Sequence, residues 1–159
     1  MLNIRIVCVG RSKEKYWDAA YAEYLKRLRA YCSPEVIEVK ECRLPANASA
    51  ADERIVIDTE GRDILARISS SDYVIALDIQ GREFSSEEIA RRISEISFNN
   101  SRICFIIGGS LGLSGEVKKR ADLRLSFGKI TLPHQLARVV LLEQIYRAFK
   151  INAGEAYHK

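Results

Sequence analysis

The chain has 159 residues, of which 47% are hydrophobic and 29% charged, and its net charge is +4. This length suits one compact domain over residues 1–159, and the composition excludes a disordered, collagen-like or membrane-spanning chain. No apolar run reaches the roughly 20 residues needed to cross a bilayer, and the N-terminus lacks the residue order of a secretion signal. We therefore expect a cytoplasmic protein without a membrane partner.

Strands and helices are predicted to alternate along the chain. Continuous apolar runs bounded by turn residues predict buried strands at residues 2–9, 36–39, 72–77, 103–107 and 123–127. Apolar residues at helical spacing predict helices at residues 17–28, 55–68, 85–96 and 133–152, with a short helix before the last strand. This order predicts an α/β fold with a mainly parallel sheet and helices on both faces. Ligands of such folds bind beyond the carboxyl ends of the strands.

Several local signals refine this organisation. Ser85 and Glu88 have the spacing of a capping box, and Gly61 interrupts the second helix at a cost of about 1 kcal/mol relative to Ala. Residues 41–51 are the most loop-like stretch.

The last helix begins at Pro133, where a missing N–H costs nothing, and has apolar residues on more than one face. We expect one face on the sheet and another on a second subunit, the alternative being a helix enclosed within its own monomer.

The charge is distributed unevenly. Residues 117–159 contain nine Lys and Arg against three Asp and Glu, a local charge of +6, whereas the remaining 116 residues carry −2. A basic C-terminal third on a weakly acidic body suggests that one face of the protein binds an anionic partner. Nucleic acid is the commonest such partner. It fits ordinary surface charge equally well, so the pattern alone leaves both interpretations open.

The four cysteines, Cys8, Cys32, Cys42 and Cys104, lack the spacing of metal ligands, because there is no C-x-x-C and no histidine pair near any of them. We therefore predict no metal site. Cys8 and Cys104 lie inside apolar stretches, where a free cysteine usually acts as a small core side chain rather than as a nucleophile.

A glycine-rich turn follows the fourth predicted strand. Gly108, Gly109, Gly112 and Gly115 do not have the spacing of a dinucleotide or P-loop motif, so phosphate binding is disfavoured there. The turn either lets a ligand approach the backbone closely or serves only loop geometry.

The two histidines, His134 and His158, fall in the basic C-terminal third. Histidine can exchange a proton near neutral pH, although most surface histidines have no chemical role. The terminal residues Tyr157, His158 and Lys159 would be a solvated tail unless something folds them back.

Three ordered motifs and the chain end resemble those of one protein family. They are FIIGGSLG at residues 105–112, LSFGKITLPHQ at residues 125–135, RVVLLEQIYRAFKI at residues 138–151 and the final YHK. In a chain of this size the combination resembles the ribosomal RNA large-subunit methyltransferase H family of the SPOUT superfamily, over the whole length.

The resemblance implies a C-terminal trefoil knot, a homodimer, and S-adenosylmethionine bound in the knot without a metal. It implies methyl transfer to N3 of a pseudouridine in 23S rRNA, within the large subunit of the assembled 70S ribosome. The motifs place the expected cofactor contacts at Leu77, Gly108, Phe127, Gly128, Lys129, Ile130, Thr131 and Leu132.

The tail is expected to supply the catalytic groups. His158 would accept or orient the proton, while Tyr157 and Lys159 position the base. The expected phosphate contacts are basic residues of the C-terminal third, with Arg138, Arg147, Lys118 and Lys119 foremost. Two alternatives remain: another SPOUT enzyme acting on tRNA or a ribose hydroxyl, and a non-catalytic RNA-binding assembly factor that keeps the fold.

Overall fold

Strands and helices alternate from the first strand to the last helix. The structure, a computed structural model, describes residues 1–157. Its elements are β1 (Asn3–Val9), α1 (Lys15–Leu28), β2 (Ser33–Val39), α2 (Ala50–Leu65), β3 (Tyr73–Glu83), α3 (Ser86–Asn99), β4 (Arg102–Ile107), α4 (Gly115–Arg120), β5 (Leu123–Ser126) and α5 (His134–Asn152).

All five strands form one parallel sheet in the order β2-β1-β4-β3-β5. Strand β1 lies between β2 and β4 and pairs with both, so that Ile6 faces Val36 on one side and Phe105 on the other. On the other side of the sheet, the pairing of β3 with β5 shifts register between Leu77 and Arg82. The predicted α/β fold with a parallel sheet is confirmed.

Strand residues alternate between two hydrophobic clusters, one on each face of the sheet. On one face Ile4, Ile6 and Cys8 of β1 pack with residues of α1, α3 and α5. On the other face Val7 and Val9 pack with residues of α2 and α4. Because side chains alternate along a strand, continuous apolar strands can serve both layers, as the sequence predicts.

Helix starts follow from side-chain caps. Ser85 and Glu88 form the predicted capping box at the start of α3. A second capping box, from Ser49 and Asp52, starts α2. This helix therefore begins at Ala50, five residues before the predicted start, and ends at Leu65.

The last helix, α5, packs on the sheet between α1 and α3 of its own chain. Its residues Leu141, Leu142, Ile145 and Ala148 are buried. Near its C-terminal end, the Asn152 side chain donates a hydrogen bond to the Ala90 carbonyl of α3, at 2.9 Å. One face of the helix therefore packs on the sheet layer as predicted. Among the described residues, no helix is long and apolar enough to span a bilayer.

Three of the four free cysteines, Cys8, Cys32 and Cys104, are at most 1% exposed. Burial raises the pKa of each thiol from its ordinary value of 9.0 to about 12. The predicted role of Cys8 and Cys104 as small core side chains is confirmed, because such thiols carry almost no thiolate at neutral pH.

Candidate functional site

The main candidate site is a cavity of about 820 Å³ at the carboxyl ends of β3, β4 and β5. Parallel strands bring their carboxyl ends to one edge of the sheet, which is where ligands of such folds bind. The loop between β5 and α5 forms the rest of the wall. This volume lies in the range of small-molecule and cofactor sites.

Seven of the eight residues expected at the cofactor line this cavity. They are Leu77, Gly108, Phe127, Gly128, Ile130, Thr131 and Leu132. Lys129 is exposed and does not line it. The structure therefore brings together three segments that are far apart in sequence.

A serine at the end of β5 holds the loop of residues 127–132 in place. The Ser126 hydroxyl donates to the Ile79 carbonyl at 3.1 Å and accepts the N–H of Gly128 at 3.0 Å. These bonds join the cavity-lining loop to the segment following Leu77.

The turn after β4 requires its first glycine for steric reasons. A Cβ on Gly108 would lie 2.8 Å from a Leu113 methyl carbon and 3.1 Å from the Gly112 backbone. The turn doubles back tightly, because the N–H of Gly112 donates to the carbonyl of Gly109 at 3.0 Å. Loop geometry therefore explains part of the glycine pattern, and the same turn forms part of the cavity wall.

One carboxylate enters the wall of this mostly apolar cavity. The Asp78 side chain is 5% exposed and lies 3.2 Å from Arg124 and 3.8 Å from Lys118. It also accepts the N–H of Gln80 at 3.0 Å. Both cations therefore form ion pairs with this buried carboxylate.

The residues fit the organic cofactor that the resemblance implies. Apolar side chains such as Leu77, Leu125 and Leu132 can enclose an aromatic base, and Asp78 can face a cation. Within residues 1–157, the backbone N–H groups of residues 130–132 donate no hydrogen bond. They are therefore available to the polar edge of a ligand. In the same part of the chain, no group of three His, Cys, Asp or Glu side chains is arranged to hold a metal ion.

Sequence reasoning missed several residues of the wall. Asp78, Ile79 and Gln80 line the cavity but lie beyond the predicted end of the third strand, whereas β3 continues to Glu83. Their position directly after Leu77, at a strand's carboxyl end, was the available signal. His134 also lines the cavity, at the first turn of α5.

The described part of the tail folds back onto α5. The Tyr157 ring packs edge-on against Tyr146 at 5.0 Å between ring centroids, and the Arg147 guanidinium lies 4.7 Å from the centre of the Tyr157 ring. The Tyr157 hydroxyl donates to Glu143 at 3.3 Å. Burial and the Glu143 carboxylate raise the pKa of Tyr157, so the phenol keeps its proton at neutral pH. His158 and Lys159 lie outside the described residues.

Tyr157 is held away from the cavity of its own chain. Ala137 lines the cavity, whereas Arg147, ten residues further along α5, contacts Tyr157. At 1.5 Å per residue, about 15 Å of helix separates these two positions. An ion pair of Glu155 with Lys150 also joins the segment before Tyr157 to the end of α5.

The four basic residues expected to contact RNA have different surroundings. Lys119 is exposed, whereas Lys118 lines the cavity beside Asp78. Arg147 pairs with Glu143 at 2.7 Å.

Arg138 is 1% exposed, and its guanidinium donates to Glu38 and to the Gly10 carbonyl, each at 3.1 Å. A phosphate in solvent does not reach this buried group in the described conformation. A phosphate contact at Arg138 would therefore require rearrangement around it.

The family follows from comparison with known proteins. The family model described as "Predicted SPOUT methyltransferase" matches residues 2–158. The solved structure of a probable methylase family protein from Haemophilus influenzae Rd KW20 superposes with a TM-score of 0.55 at 13% identity, covering 99% of this chain and 71% of that one. That structure shows the shared fold. The chain belongs to the SPOUT methyltransferase family.

Several full-length relatives within that family carry the same name. Proteins named "Ribosomal RNA large subunit methyltransferase H" from Carboxydothermus hydrogenoformans, Clostridium novyi and Clostridioides difficile are 55%, 54% and 53% identical to this chain. Each alignment covers 99% of this chain and 100% of the relative. The family resemblance predicted from the sequence motifs is confirmed.

Proposed function

We propose that this protein is a homodimeric methyltransferase that uses S-adenosylmethionine to methylate N3 of a pseudouridine in 23S rRNA, on the assembled ribosome in the cytoplasm. Full-length relatives named for large-subunit ribosomal RNA support the substrate class. The observation that carries the proposal is the convergence of Leu77, Gly108 and the loop of residues 127–132 on one cavity. We further propose that the chain forms the family's trefoil knot around this loop.

The cofactor supplies an electrophilic methyl group on a sulfonium. The chain's contribution is to hold it: apolar walls for the base, free backbone N–H groups of residues 130–132 for its polar edge, and the Asp78 carboxylate for a cationic part. These contacts orient the reacting atoms, and such positioning accounts for much of the rate acceleration in methyl transfer.

The acceptor nitrogen must lose its N3 proton, and negative charge then develops on the imide. In this proposal His158 accepts that proton, and Tyr157 and Lys159 donate hydrogen bonds to the two carbonyl oxygens that flank the nitrogen. The Tyr157 phenol keeps its proton and donates a hydrogen bond to Glu143 in this conformation, so donation to the substrate requires that bond to be exchanged. The side chains of Glu143 and Arg147 position its ring and hydroxyl.

Two observations support a homodimer. First, Tyr157 packs on α5 at Glu143 and Arg147 and does not line the cavity of its own chain, which is consistent with a tail that serves the cavity of a second copy. Second, apolar side chains at the cavity remain exposed, with Ile79 at 59% and Ile130 at 77%. On α5, Leu136 and Val140 are half-buried and lie outside both hydrophobic clusters. We propose that a second subunit covers these surfaces.

RNA contact is proposed at Lys118, Lys119 and Arg147, which lie on or near the accessible surface. Arg138 stays a weaker prediction because of its burial.

The proposal is tested by removing the tail. A chain ending at Ala156 should lose methyl transfer to 70S ribosomes while keeping its affinity for S-adenosylmethionine, because the cavity is formed by residues before the tail. Transfer is measured with labelled methyl groups, and cofactor affinity by isothermal titration. Unchanged turnover would contradict the role of the tail.

Two comparisons make this test specific. Tyr157→Phe keeps the ring packing and removes only the hydroxyl, so it should reduce turnover less than truncation does. Free 23S rRNA and tRNA, assayed beside ribosomes, distinguish the proposed substrate from those of other SPOUT enzymes. Absence of cofactor binding by the full chain would instead favour a non-catalytic RNA-binding factor.

A further inference from the structure

A second cavity, of about 1060 Å³, lies beside the first. The two cavities share Ser110 and Leu111 as a common wall. Three segments form the second cavity: the chain after β1, the loop after β2, and one side of α2. We call it the lateral groove.

Two acidic residues of the lateral groove hold its walls in place. Glu38 accepts the N–H of Ser12 at 2.9 Å and is paired with Arg138 at 3.1 Å. Glu60, 4% exposed, accepts the N–H of Cys42 at 3.0 Å. Both carboxylates are therefore bound internally, and their bonds fix the segment before α1 and the loop after β2.

The basic residues of the groove are differently placed. Five exposed cations line it: Arg11, Lys13, Lys40, Arg43 and Arg67. Over residues 1–157, none of their side chains forms an ion pair. The exposed acidic residues of the groove are Glu38, which is paired with Arg138, and Glu41 and Asp63. The accessible charge is therefore positive and suits an anionic ligand.

The groove is also coupled to the cofactor cavity. The Gln135 side chain donates to the Arg11 carbonyl at 3.2 Å, which joins a wall of the groove to the start of α5. The helix start also carries His134, a residue of the first cavity. A polyanion lying in the groove would thus pass directly beside the proposed methyl donor.

We propose that the lateral groove binds the phosphate backbone of the RNA strand next to the target nucleotide. This inference rests on the proposed function and names the surface that would hold its substrate. A long ligand is favoured over a single small anion because the cations are spread over three segments around a large, open groove. These residues are distinct from the basic C-terminal third that the sequence pointed to.

The test removes two charges from the exposed loop. In the double variant Lys40→Gln/Arg43→Gln, KM for 70S ribosomes should rise about tenfold, with the effect on KM rather than on kcat. The slope of log affinity against log salt should fall by about 1.4, at roughly 0.7 for each lost contact with single-stranded RNA. Affinity for S-adenosylmethionine should stay unchanged in isothermal titration.

The matched control is Lys26→Gln/Arg29→Gln, which removes the same charges from exposed positions outside both cavities. Its KM should change less than twofold. An unchanged KM and salt slope in the groove variant, or an equal change in the control, would overturn the proposal. Should the groove variant fail to fold, as judged by its circular dichroism, Lys13→Gln/Arg67→Gln tests the same prediction.

The two proposals fail in different ways. If the unmodified chain transfers no methyl group to ribosomes, the proposed function is wrong. Cosedimentation of each variant with 70S ribosomes then still tests the groove, because it needs no methyl transfer. Equal cosedimentation of unmodified and groove-variant chains at every salt concentration would refute RNA binding there.

Discussion

Gly61 lies inside α2 where this helix meets the start of α4. A Cβ built on Gly61 would lie 2.3 Å from the Ser114 hydroxyl oxygen and 2.8 Å from the Ser114 Cβ. Ser114 caps α4 by accepting the N–H of Val117 at 3.2 Å. The variant Gly61→Ala therefore forces apart two helices and disturbs a cap, although alanine is the better helix former.

The expected magnitude is a balance of opposing terms. Alanine gains about 1 kcal/mol of helix propensity over glycine. Overpacking typically costs 1–3 kcal/mol, and weakening the serine cap adds about 1 kcal/mol. We expect Gly61→Ala to lower the free energy of unfolding by about 2 kcal/mol. For a chain of this size, that corresponds to a fall in Tm of about 4–8 °C.

Urea and thermal unfolding followed by circular dichroism measure this change. The matched control is Gly115→Ala, because a Cβ on Gly115 has no atom within 4 Å, and it should be neutral or slightly stabilising. Ser114→Gly costs only a few tenths of a kcal/mol as a cap, yet it removes the colliding atoms. The double variant Gly61→Ala/Ser114→Gly should therefore recover most of the lost stability. A Gly61→Ala protein as stable as the parent, or a double variant no better than Gly61→Ala, would refute the reasoning.

Three further predictions concern buried polar and sulfur groups. In the folded protein, a thiol reagent at pH 8 should label only Cys42, whereas all four cysteines should react in denaturant. Rapid labelling of Cys8, Cys32 or Cys104 in the folded protein would contradict their burial. Because these three thiols have a pKa of about 12 when folded and 9.0 when unfolded, the unfolded chain loses protons first above pH 9. Stability should therefore fall as pH rises, by about 4 kcal/mol between pH 8 and 10, and equal urea midpoints at the two pH values would refute this. Arg138→Met should cost about 2–3 kcal/mol in urea unfolding by removing hydrogen bonds from a buried cation, and a loss below about 1 kcal/mol would argue against a structural role.

The sequence predicted the cofactor cavity better than the surface around it. Leu77 and Gly108 stand at the carboxyl ends of parallel strands, and an alternating strand and helix order is enough to bring such ends together. The loop of residues 127–132 was placed there by family motifs rather than by periodicity. Lys129 was included for its place in the motif, and only the conformation of the loop turns it away from the cavity.

Long-range polar pairs were beyond sequence reasoning. Periodicity marks Arg138 as a polar position on a helix and predicts solvent there, but its partner Glu38 lies one hundred residues earlier in the chain. The early start of α2 was missed for a local reason. Residues 41–51 have a loop-like composition, and Asp52 replaces the Glu or Gln expected at the third position of a capping box.

The strand order has a consequence for how the protein is made. The first strand sits between β2 and β4, so one of its edges stays unpaired until Ile107 has emerged, roughly 70 residues after Val39. At typical rates of synthesis this takes roughly 3 to 14 seconds, during which an apolar strand edge is open to other chains. We expect the nascent polypeptide to depend on chaperones in this interval and to complete its sheet only late in translation.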